Sequence, residues 1–433
     1  MVTLFAGRAA AVSLALLVGA TPFASRFANA ADAAVTIAEA QRIAIERSRL
    51  LDAQESLAAA AREMAVAAGQ LPDPVLSLGI SNVPVSGPDA FTLGRDFMTM
   101  RNVGLMQEFT RAEKRRARAE RFERDAEKAD AEKIATIVTL ARDTSRAWLD
   151  RHYAEAQAAV LTEQIAQAQL EVEAADTSYR AGRGSLAEIL AARGALVTLD
   201  DRARELQARA SAATIALARY IGDAAQRPLG PKPTIETLPV DRQTLESGLE
   251  HHPQIDALMK REAVTAADVK VAQANRKPDW SVQVMYGQRG SGFPDMISLG
   301  VSVPLQWDRP RRQDREIAAR LAMLDQMRAE REDAVRAHRA EVRAMLVEWE
   351  TNRERSARYV RELLPLATQR TEATLAAYRG VKASLADVLV ARRNEIEVRL
   401  QALALEADAA RAWAQLAFLA PSGAQSFDRN RLP

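Results

Sequence analysis

Few residues in this sequence have the types and spacing that chemistry requires. It contains no cysteine, which excludes disulfides, zinc–thiolate sites, a cysteine nucleophile and a lipid anchor on an N-terminal cysteine. The histidine pair His251-His252 makes a poor metal site, because helix neighbours point about 100° apart and no other histidine or cysteine supports them. We expect both histidines to be surface residues. The sequence predicts no catalytic constellation, phosphate-binding glycine loop, metal cluster or cofactor.

Composition favours long helices over an α/β enzyme, since alanine, arginine, glutamate and leucine dominate while glycine and aromatic residues are scarce. The formal net charge is +2, and residues 1–30 contribute two arginines and no acid. The remainder therefore carries no net charge, and its mixed charges indicate solvated helix faces rather than a nucleic-acid partner.

Residues 1–30 are predicted to be a secretory signal peptide. An apolar run of about 12 residues, Ala9–Ala20, precedes the small-x-small site Ala28-Asn29-Ala30. The alternative is a retained anchor, but a spanning helix needs about 20 apolar residues. We expect an exported mature chain that starts near Ala31.

One long segment occurs twice. Tyr179–Tyr220 and Tyr378–Leu419 align at a shift of 199 residues, and each begins with a glycine-bearing turn. Small or apolar residues then recur at alternating steps of three and four, which predicts helices packed as a coiled coil. Glu395 interrupts this seam in the second copy. The duplication predicts two structurally equivalent halves.

Each half is predicted to run helix, strand, loop, strand, long helix, turn and heptad helix. The first repeat covers residues 31–222, a proline-rich linker covers 223–241, the second repeat covers 242–420, and a tail covers 421–433. The predicted elements are helices at 35–69, 111–179 and 242–273, with strands at about 75–83, 102–109, 280–288 and 297–305.

The strands alternate apolar residues with serine, glycine or glutamine, and their length of about nine residues suits transmembrane strands. The alternative is two hairpins packed on helices in a soluble protein. Four strands cannot close a barrel in lipid, because open edges would leave backbone groups unpaired. Strands that span a membrane would therefore need several chains, and three copies would supply twelve strands.

This plan resembles the TolC-like outer-membrane efflux proteins over about Val35 to Ala420. The resemblance rests on the duplication, the Y-x-x-G turn at Tyr179–Gly182, and the S-L-x-[ED]-[IV]-L runs at Ser185–Leu190 and Ser384–Leu389. It implies a homotrimeric passive duct: a twelve-stranded β-barrel in the outer membrane and an α-helical barrel in the periplasm. It also implies two protein partners, a periplasmic adaptor (membrane fusion) protein and an inner-membrane RND pump.

Within that family, Leu71–Pro84 and Met98–Arg116 are most similar to members of heavy-metal efflux systems of the cobalt-zinc-cadmium and copper-silver type. The sequence departs from the pattern in two ways. It lacks the cysteine on which several such members are lipidated, and Gly380 lies one position earlier in the second turn than Gly182 in the first.

The resemblance places Glu188 and Asp387 at the periplasmic tip, where acids ring the pore entrance, with Tyr378 and Lys382 beside them. A ring of acids would attract cations. The alternative is an ordinary helix-start acid stabilised by the helix dipole. Possible cationic partners are Lys382, Arg183 and Arg193. An adaptor's helical hairpin is expected to dock on the same turns, at Gly182, Arg183, Gly184, Ser185, Leu186, Gly380, Ser384 and Leu385.

Two basic runs, Lys114–Arg116 and Arg309–Arg312, follow the predicted hairpins. They would contact lipid headgroups beneath the outer membrane or lie at solvated helix starts. The leading hypothesis is an outer-membrane duct of a tripartite efflux system. Its rival, a soluble periplasmic coiled-coil adaptor or scaffold, explains the heptads but leaves the strand alternation unexplained.

Overall fold

The computed structural model describes residues 34–238, 242–248 and 252–419. The predicted signal peptide, His251 and the predicted tail 421–433 lie outside them. The helices are α1 (Ile37–Arg47), α2 (Arg49–Ala68), α3 (Ala112–Arg180), α4 (Leu186–Ile221), α5 (Arg242–Ser247), α6 (Pro253–Ala274), α7 (Gln313–Arg358), α8 (Leu364–Arg379) and α9 (Leu385–Ala417). The strands are β1 (Val75–Ser81), β2 (Met100–Phe109), β3 (Trp280–Gln288) and β4 (Met296–Ser302).

The four strands form one antiparallel sheet in the order β1-β2-β3-β4. The predicted strands lie close to the observed ones, although β4 ends at Ser302 rather than near residue 305. Pro304 explains the early end, because proline has no backbone N–H to donate to a ladder. The two hairpins, which come from different halves of the sequence, join through the β2–β3 pairing, with Leu105 opposite Val284.

Rows of apolar side chains cross the sheet on one face. One row joins Leu76, Leu105, Val284 and Leu299, and the next joins Leu78, Val103, Tyr286 and Ile297. These residues are exposed in the single chain. Ser77, Gly104, Met285 and Ser298 form one of the rows on the opposite face, which is small or polar with scattered methionines. The predicted division into an apolar and a mainly small or polar face is therefore present.

Each strand has one helix of a second layer as its neighbour along the chain, separated from it by a connecting segment. Helix α2 leads into β1, β2 leads into α3, α6 leads into β3, and β4 leads into α7. The helices lie side by side in the same order as the strands, since α2 packs on α3, α3 on α6, and α6 on α7. Both layers therefore end at two open sides, formed by β1 with α2 and by β4 with α7.

The helices of the described residues do not include one whose length and apolar character would suit a bilayer crossing.

Two predicted helices are each divided in the structure. The helix predicted at 35–69 is interrupted at Ser48, whose backbone is extended; α1 packs on α3 and α4, whereas α2 follows α3 towards the sheet. The prediction of one helix at 242–273 is also wrong, because the structure has two separate helices there, α5 and α6. Helix α6 starts at Pro253, which suits a first-turn position because proline has no N–H to donate to a preceding turn.

The long helices agree with the sequence pattern. Helix α3 contains 69 residues and would measure about 100 Å at 1.5 Å per residue. Its counterpart in the second half comprises α7, a π-helical turn at Tyr359–Leu363, and α8. Pro365 lies just after this turn, where its missing N–H and its ring disturb the regular hydrogen-bond ladder.

A buried core between the two halves is fixed by two tryptophans. Trp148 on α3 donates its indole N–H to the carbonyl of Val35 at 2.9 Å, and Trp349 on α7 donates to the carbonyl of Ile235 at 3.0 Å. Arg151, also buried, donates to the carbonyls of Ala225 and Arg227. Extended backbone that precedes the first helix of each half is thereby bound to its long helix. The carbonyl of Val35 also accepts from the Gly230 amide at 2.9 Å.

The heptad seam packs as predicted. In α4 and α9 its residues are buried or half-buried. Helix α4 packs against α3, and α9 packs against α3, α7 and α8. Glu395, the acid that interrupts the second copy, is buried and accepts hydrogen bonds from Thr368 at 3.0 Å and Arg399 at 2.8 Å. A charged residue is tolerated there because it is paired.

His252 is buried, which corrects the prediction that both histidines of the pair lie at the surface. Only 1% of it is exposed, and its ring centroid lies 4.7 Å from that of buried His338 on α7. It caps α6, and its Nε2 lies 3.4 Å from the carbonyl oxygen of Phe418 after α9. Burial, then the neighbouring His338, lowers the pKa of His252 to about 4, and Arg142 on α3 acts in the same direction.

This burial predicts acid sensitivity. Between pH 6.5 and 4 the unfolded chain binds a proton at His252 that the folded chain excludes, so the unfolding free energy falls as the pH falls, by up to about 3 kcal/mol. We expect the thermal midpoint to drop between pH 7 and 5, and the drop to be smaller in His252→Asn, which keeps a capping acceptor. Parallel pH curves for the two proteins would contradict this assignment.

Candidate functional site

The two interhelical turns at the end of the hairpins have the same backbone conformation. In the first, the N–H groups of Gly182 and Arg183 donate to the carbonyls of Tyr179 and Ser178. In the second, those of Val381 and Lys382 donate to Tyr378 and Ala377. The earlier position of Gly380 therefore leaves the turn unchanged, and a different residue adopts the left-handed conformation.

That residue is Val381, whose φ of 58° matches the 70° of Gly182. A β-branched residue is strained in this region, by about 1–2 kcal/mol, because its Cβ approaches the following carbonyl. The side chain is 90% exposed, so packing within the chain does not compensate. The second turn thus presents a strained apolar side chain at its tip.

Both predicted tip acids belong to capping boxes. The amide of Ser185 donates to Glu188 at 2.8 Å and that of Ser384 donates to Asp387 at 3.0 Å, while each serine hydroxyl accepts from the acid's own amide. Hydrogen bonds from the Ser384 hydroxyl and then its amide lower the pKa of Asp387. Asp387 is exposed and Glu188 is half-exposed. Both side chains therefore act locally as helix caps.

The structure does not pair these acids with the cations that were predicted as their partners. Among the ion pairs between described residues, none joins Glu188 or Asp387 to Arg183, Arg193 or Lys382. Arg193 and Lys382 are exposed. The two acids thus lie at the same end of the molecule, and neither forms an ion pair with a basic side chain of the residues that the structure describes.

The two turns differ in burial despite their equal backbones. Leu385 is 2% exposed and packs with Ala175, Ile189 and Val388, whereas its counterpart Leu186 is 56% exposed. Tyr378 packs against the same cluster, but Tyr179 is 46% exposed. Of the predicted docking residues, Leu186 is therefore available at the surface and Leu385 is not.

Two ion pairs that sequence reasoning missed join the first hairpin to the second. Arg392 on α9 contacts Glu171 on α3 at 2.5 Å, with both side chains nearly buried, and Arg202 on α4 pairs with Glu397 on α9. Arg193 occupies the position equivalent to Arg392 but is exposed. The repeat alignment shows that Arg193 and Arg392 are equivalent. It does not reveal their different contacts, because the residue equivalent to Glu171 is an arginine, at position 370, rather than a second acid.

Aromatic side chains lie at or beyond both ends of the sheet. At the end towards the helices, Phe109 stacks on Trp280 with ring centroids 4.5 Å apart, and Trp307 is 86% exposed. In the loops at the opposite end, Phe97 lies 6.2 Å from Phe293. Two aromatic belts with an apolar band between them are typical of the surface of a membrane-spanning sheet.

No group of three or more histidine, aspartate or glutamate side chains is placed to hold a metal ion in the described parts of the chain.

The sequence matches the family described as outer membrane efflux protein over residues 40–223 and 244–420. The chain belongs to this family. The two matched segments correspond to its two structural halves, and the unmatched interval, residues 224–243, includes nearly all of the linker between them. A comparison with curated proteins gave no match.

Solved structures with the same fold include membrane channels. The outer membrane protein VceC of Vibrio cholerae is 17% identical, with 88% of this chain and 95% of VceC covered and a TM-score of 0.71. The outer membrane channel CmeC of Campylobacter jejuni is 14% identical, with 91% and 88% covered and a TM-score of 0.74. CusC, described in terms of transmembrane channel formation, is 14% identical, with 90% and 93% covered and a TM-score of 0.75. At these identities the likeness establishes the fold: mainly helical, with a small antiparallel sheet.

The strain at the second turn gives a testable expectation. Val381→Asn should stabilise the turn by about 1 kcal/mol, because asparagine tolerates the left-handed region better than a β-branched residue. Hydrogen exchange at the Lys382 amide, which is bonded to Ala377 at 2.8 Å, should slow accordingly.

The matched control is Val347→Asn, the same change at an exposed position inside α7, which should leave exchange at the tip unaltered. Faster exchange at Lys382 in Val381→Asn would show that the valine is not a source of strain.

Proposed function

We propose that this chain is one third of a passive duct that crosses the outer membrane and forms the outer component of a tripartite efflux system. The observation that carries the proposal is the four-stranded sheet, which has one apolar face, one mainly small or polar face and two unpaired edges. The apolar face suits lipid and the opposite face suits an aqueous lumen.

The open edges account for the trimer. In a hydrocarbon environment each unpaired backbone group costs several kcal/mol, so the sheet must close. Strands β1 and β4 have equal lengths of seven residues, and pairing β4 of one copy with β1 of the next would give twelve strands from three copies. Helices α7 and α2 would meet below the same seam, where exposed Leu57, Met64 and Leu321 are available to pack.

A charged contact at the base of the sheet supports the same closure. Asp279, just before β3, accepts from the Arg111 amide at 3.0 Å and from Lys114 at 2.6 Å, at the start of the adjacent helix. Asp73 has the equivalent position before β1 but is exposed, with no hydrogen bond or ion pair within the described residues. The start of α7 in the next copy, at Arg312, would supply the missing donors.

Six hairpins would then surround the periplasmic mouth of the tube. In this arrangement Asp387, with Glu188, Tyr378 and Lys382, forms the proposed gate. Three copies of an ionised Asp387 near the axis would attract cations to the entrance. The low pKa of Asp387 supports this role, because the carboxylate stays charged as the pH falls.

The exposed turn residues form the proposed docking surface for the hairpin of a periplasmic adaptor, which would couple the duct to an inner-membrane RND pump. Gly182, Arg183, Ser185 and Leu186 in the first turn are exposed or open, as are Gly380 and Ser384 in the second. Leu385 would stabilise the tip from inside. Gly184 would act through the backbone, since a Cβ there would lie 3.1 Å from the amide of Tyr179.

For the substrate we propose heavy-metal cations. The support is the resemblance of Leu71–Pro84 and Met98–Arg116 to heavy-metal efflux components, together with the acidic entrance. The duct itself would only conduct, since export energy and most of the selectivity would come from the pump.

Fractionation of Gram-negative cells that express the full chain tests the duct. We expect recovery in the outer membrane, extraction only with detergent, and pores in planar bilayers. Recovery in the soluble periplasm without detergent would instead support the rival function of a coiled-coil adaptor or scaffold.

The same bilayer recordings should include Asp387→Asn, which removes the charge but retains an acceptor for the cap. We expect weaker block by a multivalent cation added at the tip side, or a higher conductance. The comparison variant, Glu188→Gln, removes the equivalent acid of the first turn and should have the smaller effect. Unchanged single-channel behaviour in Asp387→Asn would remove Asp387 from the gate.

A further inference from the structure

An open pocket of about 730 Å³ lies where the sheet meets the helices. It is bounded by Arg111 just before α3, by Arg276 and Lys277 just after α6, and by Arg309 just before α7 and Ile317 within it. Four of its lining side chains are therefore cationic, and none is acidic. Such a pocket is a favourable place for an anion.

The positive charge is only partly balanced. Arg276 pairs with Asp314 at 3.1 Å and Lys277 pairs with Glu113 at 2.5 Å. Arg111 donates its Nε to the carbonyl of Pro278 and has no carboxylate partner for its side chain among the described residues. The side chain of Arg309 makes no hydrogen bond or ion pair within the described chain, and only its backbone carbonyl has a partner, the Arg312 amide. Two guanidinium groups thus remain for an external oxyanion, whose geometry they match as planar forks.

An apolar surface borders this pocket on the membrane side. Phe109 and Trp280 form the last cross-strand pair of the apolar face and stack on each other. Arg111 follows Phe109, the last residue of β2, by two residues. Trp307, two residues before Arg309, is 86% exposed. An aromatic girdle above a cationic pocket matches the boundary between acyl chains and headgroups.

We propose that this pocket binds the phosphate of an anionic glycerophospholipid from the membrane leaflet that faces the periplasm, with the acyl chains lying along the apolar face of the sheet. Arg309 and Arg111 hold the phosphate, while Lys277 and Arg276, which are paired with Glu113 and Asp314, line the pocket beside it. The inference rests on the proposed function, since it requires the sheet to span the outer membrane. A lipid is favoured over a soluble phosphate because the pocket continues directly into exposed apolar surface.

The test is native mass spectrometry of the full chain, extracted with detergent from outer membranes, titrated with phosphatidylglycerol. We expect Arg309→Gln to weaken binding about fivefold, since a basic residue at an anionic lipid surface contributes about 1 kcal/mol. The matched control is Arg315→Gln, which removes one exposed positive charge from the first turn of α7, outside the pocket; it should change binding by less than about twofold. Phosphatidylcholine should bind more weakly and show no dependence on Arg309.

Equal weakening by the two substitutions would overturn the site in favour of diffuse surface charge, and no weakening by Arg309→Gln would overturn it outright. Displacement of the lipid by millimolar inorganic phosphate would also contradict it, since the ligand would then be a soluble anion. These outcomes are separate from failure of the proposed function, because the assay begins with protein already recovered from the outer membrane.

Discussion

Unpaired backbone along β1 and β4 is the constraint on which the rest of the architecture depends. An antiparallel sheet with an exposed apolar face can lie in lipid only if every N–H and C=O has a partner, and a single chain leaves two edges open. The chain is therefore incomplete as a membrane structure. Its helices share this property, because α2 and α7 end the helical layer beside the same two edges.

The internal duplication helps to meet this constraint. Each half supplies one hairpin and one set of long helices, and the β2–β3 pairing shows how one half joins the next. The seam between chains would repeat that junction, with Asp73 in the place of Asp279. Tryptophans at corresponding places in α3 and α7 bind extended backbone by the same hydrogen bond, so the two halves are fixed around a common core.

Symmetry is broken where the two hairpins meet each other. Leu385 is buried and Arg392 is nearly buried between the hairpins, whereas their counterparts Leu186 and Arg193 are exposed. Under the proposed function, a neighbouring chain or an adaptor would cover the exposed set. The two turns consequently share a backbone but present different surfaces, and a partner could distinguish them.

Much of this fold could be predicted from sequence, because the informative patterns are local. Period-two alternation located the strands and their faces, and the absence of proline and glycine delimited α3. The break at Ser48 could not be predicted, since it depends on α1 and α2 packing against different neighbours. The burial of His252 likewise depends on α7 and α9, which are distant in sequence.

The candidate site was less predictable than the fold. Its turns and capping acids follow from short motifs, and the structure places them at one end of the molecule. The Arg392–Glu171 and Arg202–Glu397 pairs join residues about 200 positions apart without any repeat of the acids. The left-handed conformation of Val381 could not be predicted either, because the glycine that normally marks this conformation lies one residue earlier, at position 380.

Cysteine cross-linking between β1 and β4 tests the trimeric duct most directly, and the chain has no native cysteine to interfere. Within one chain these strands are three spacings, about 14 Å, apart, too far for a disulfide, whose Cβ atoms lie about 4 Å apart. Leu78→Cys should be combined in turn with cysteine at Ile297, Leu299 and Val301, which samples the possible registers. The account predicts covalent dimers and trimers in outer membranes for at least one pair. Monomers alone for all three pairs would contradict it.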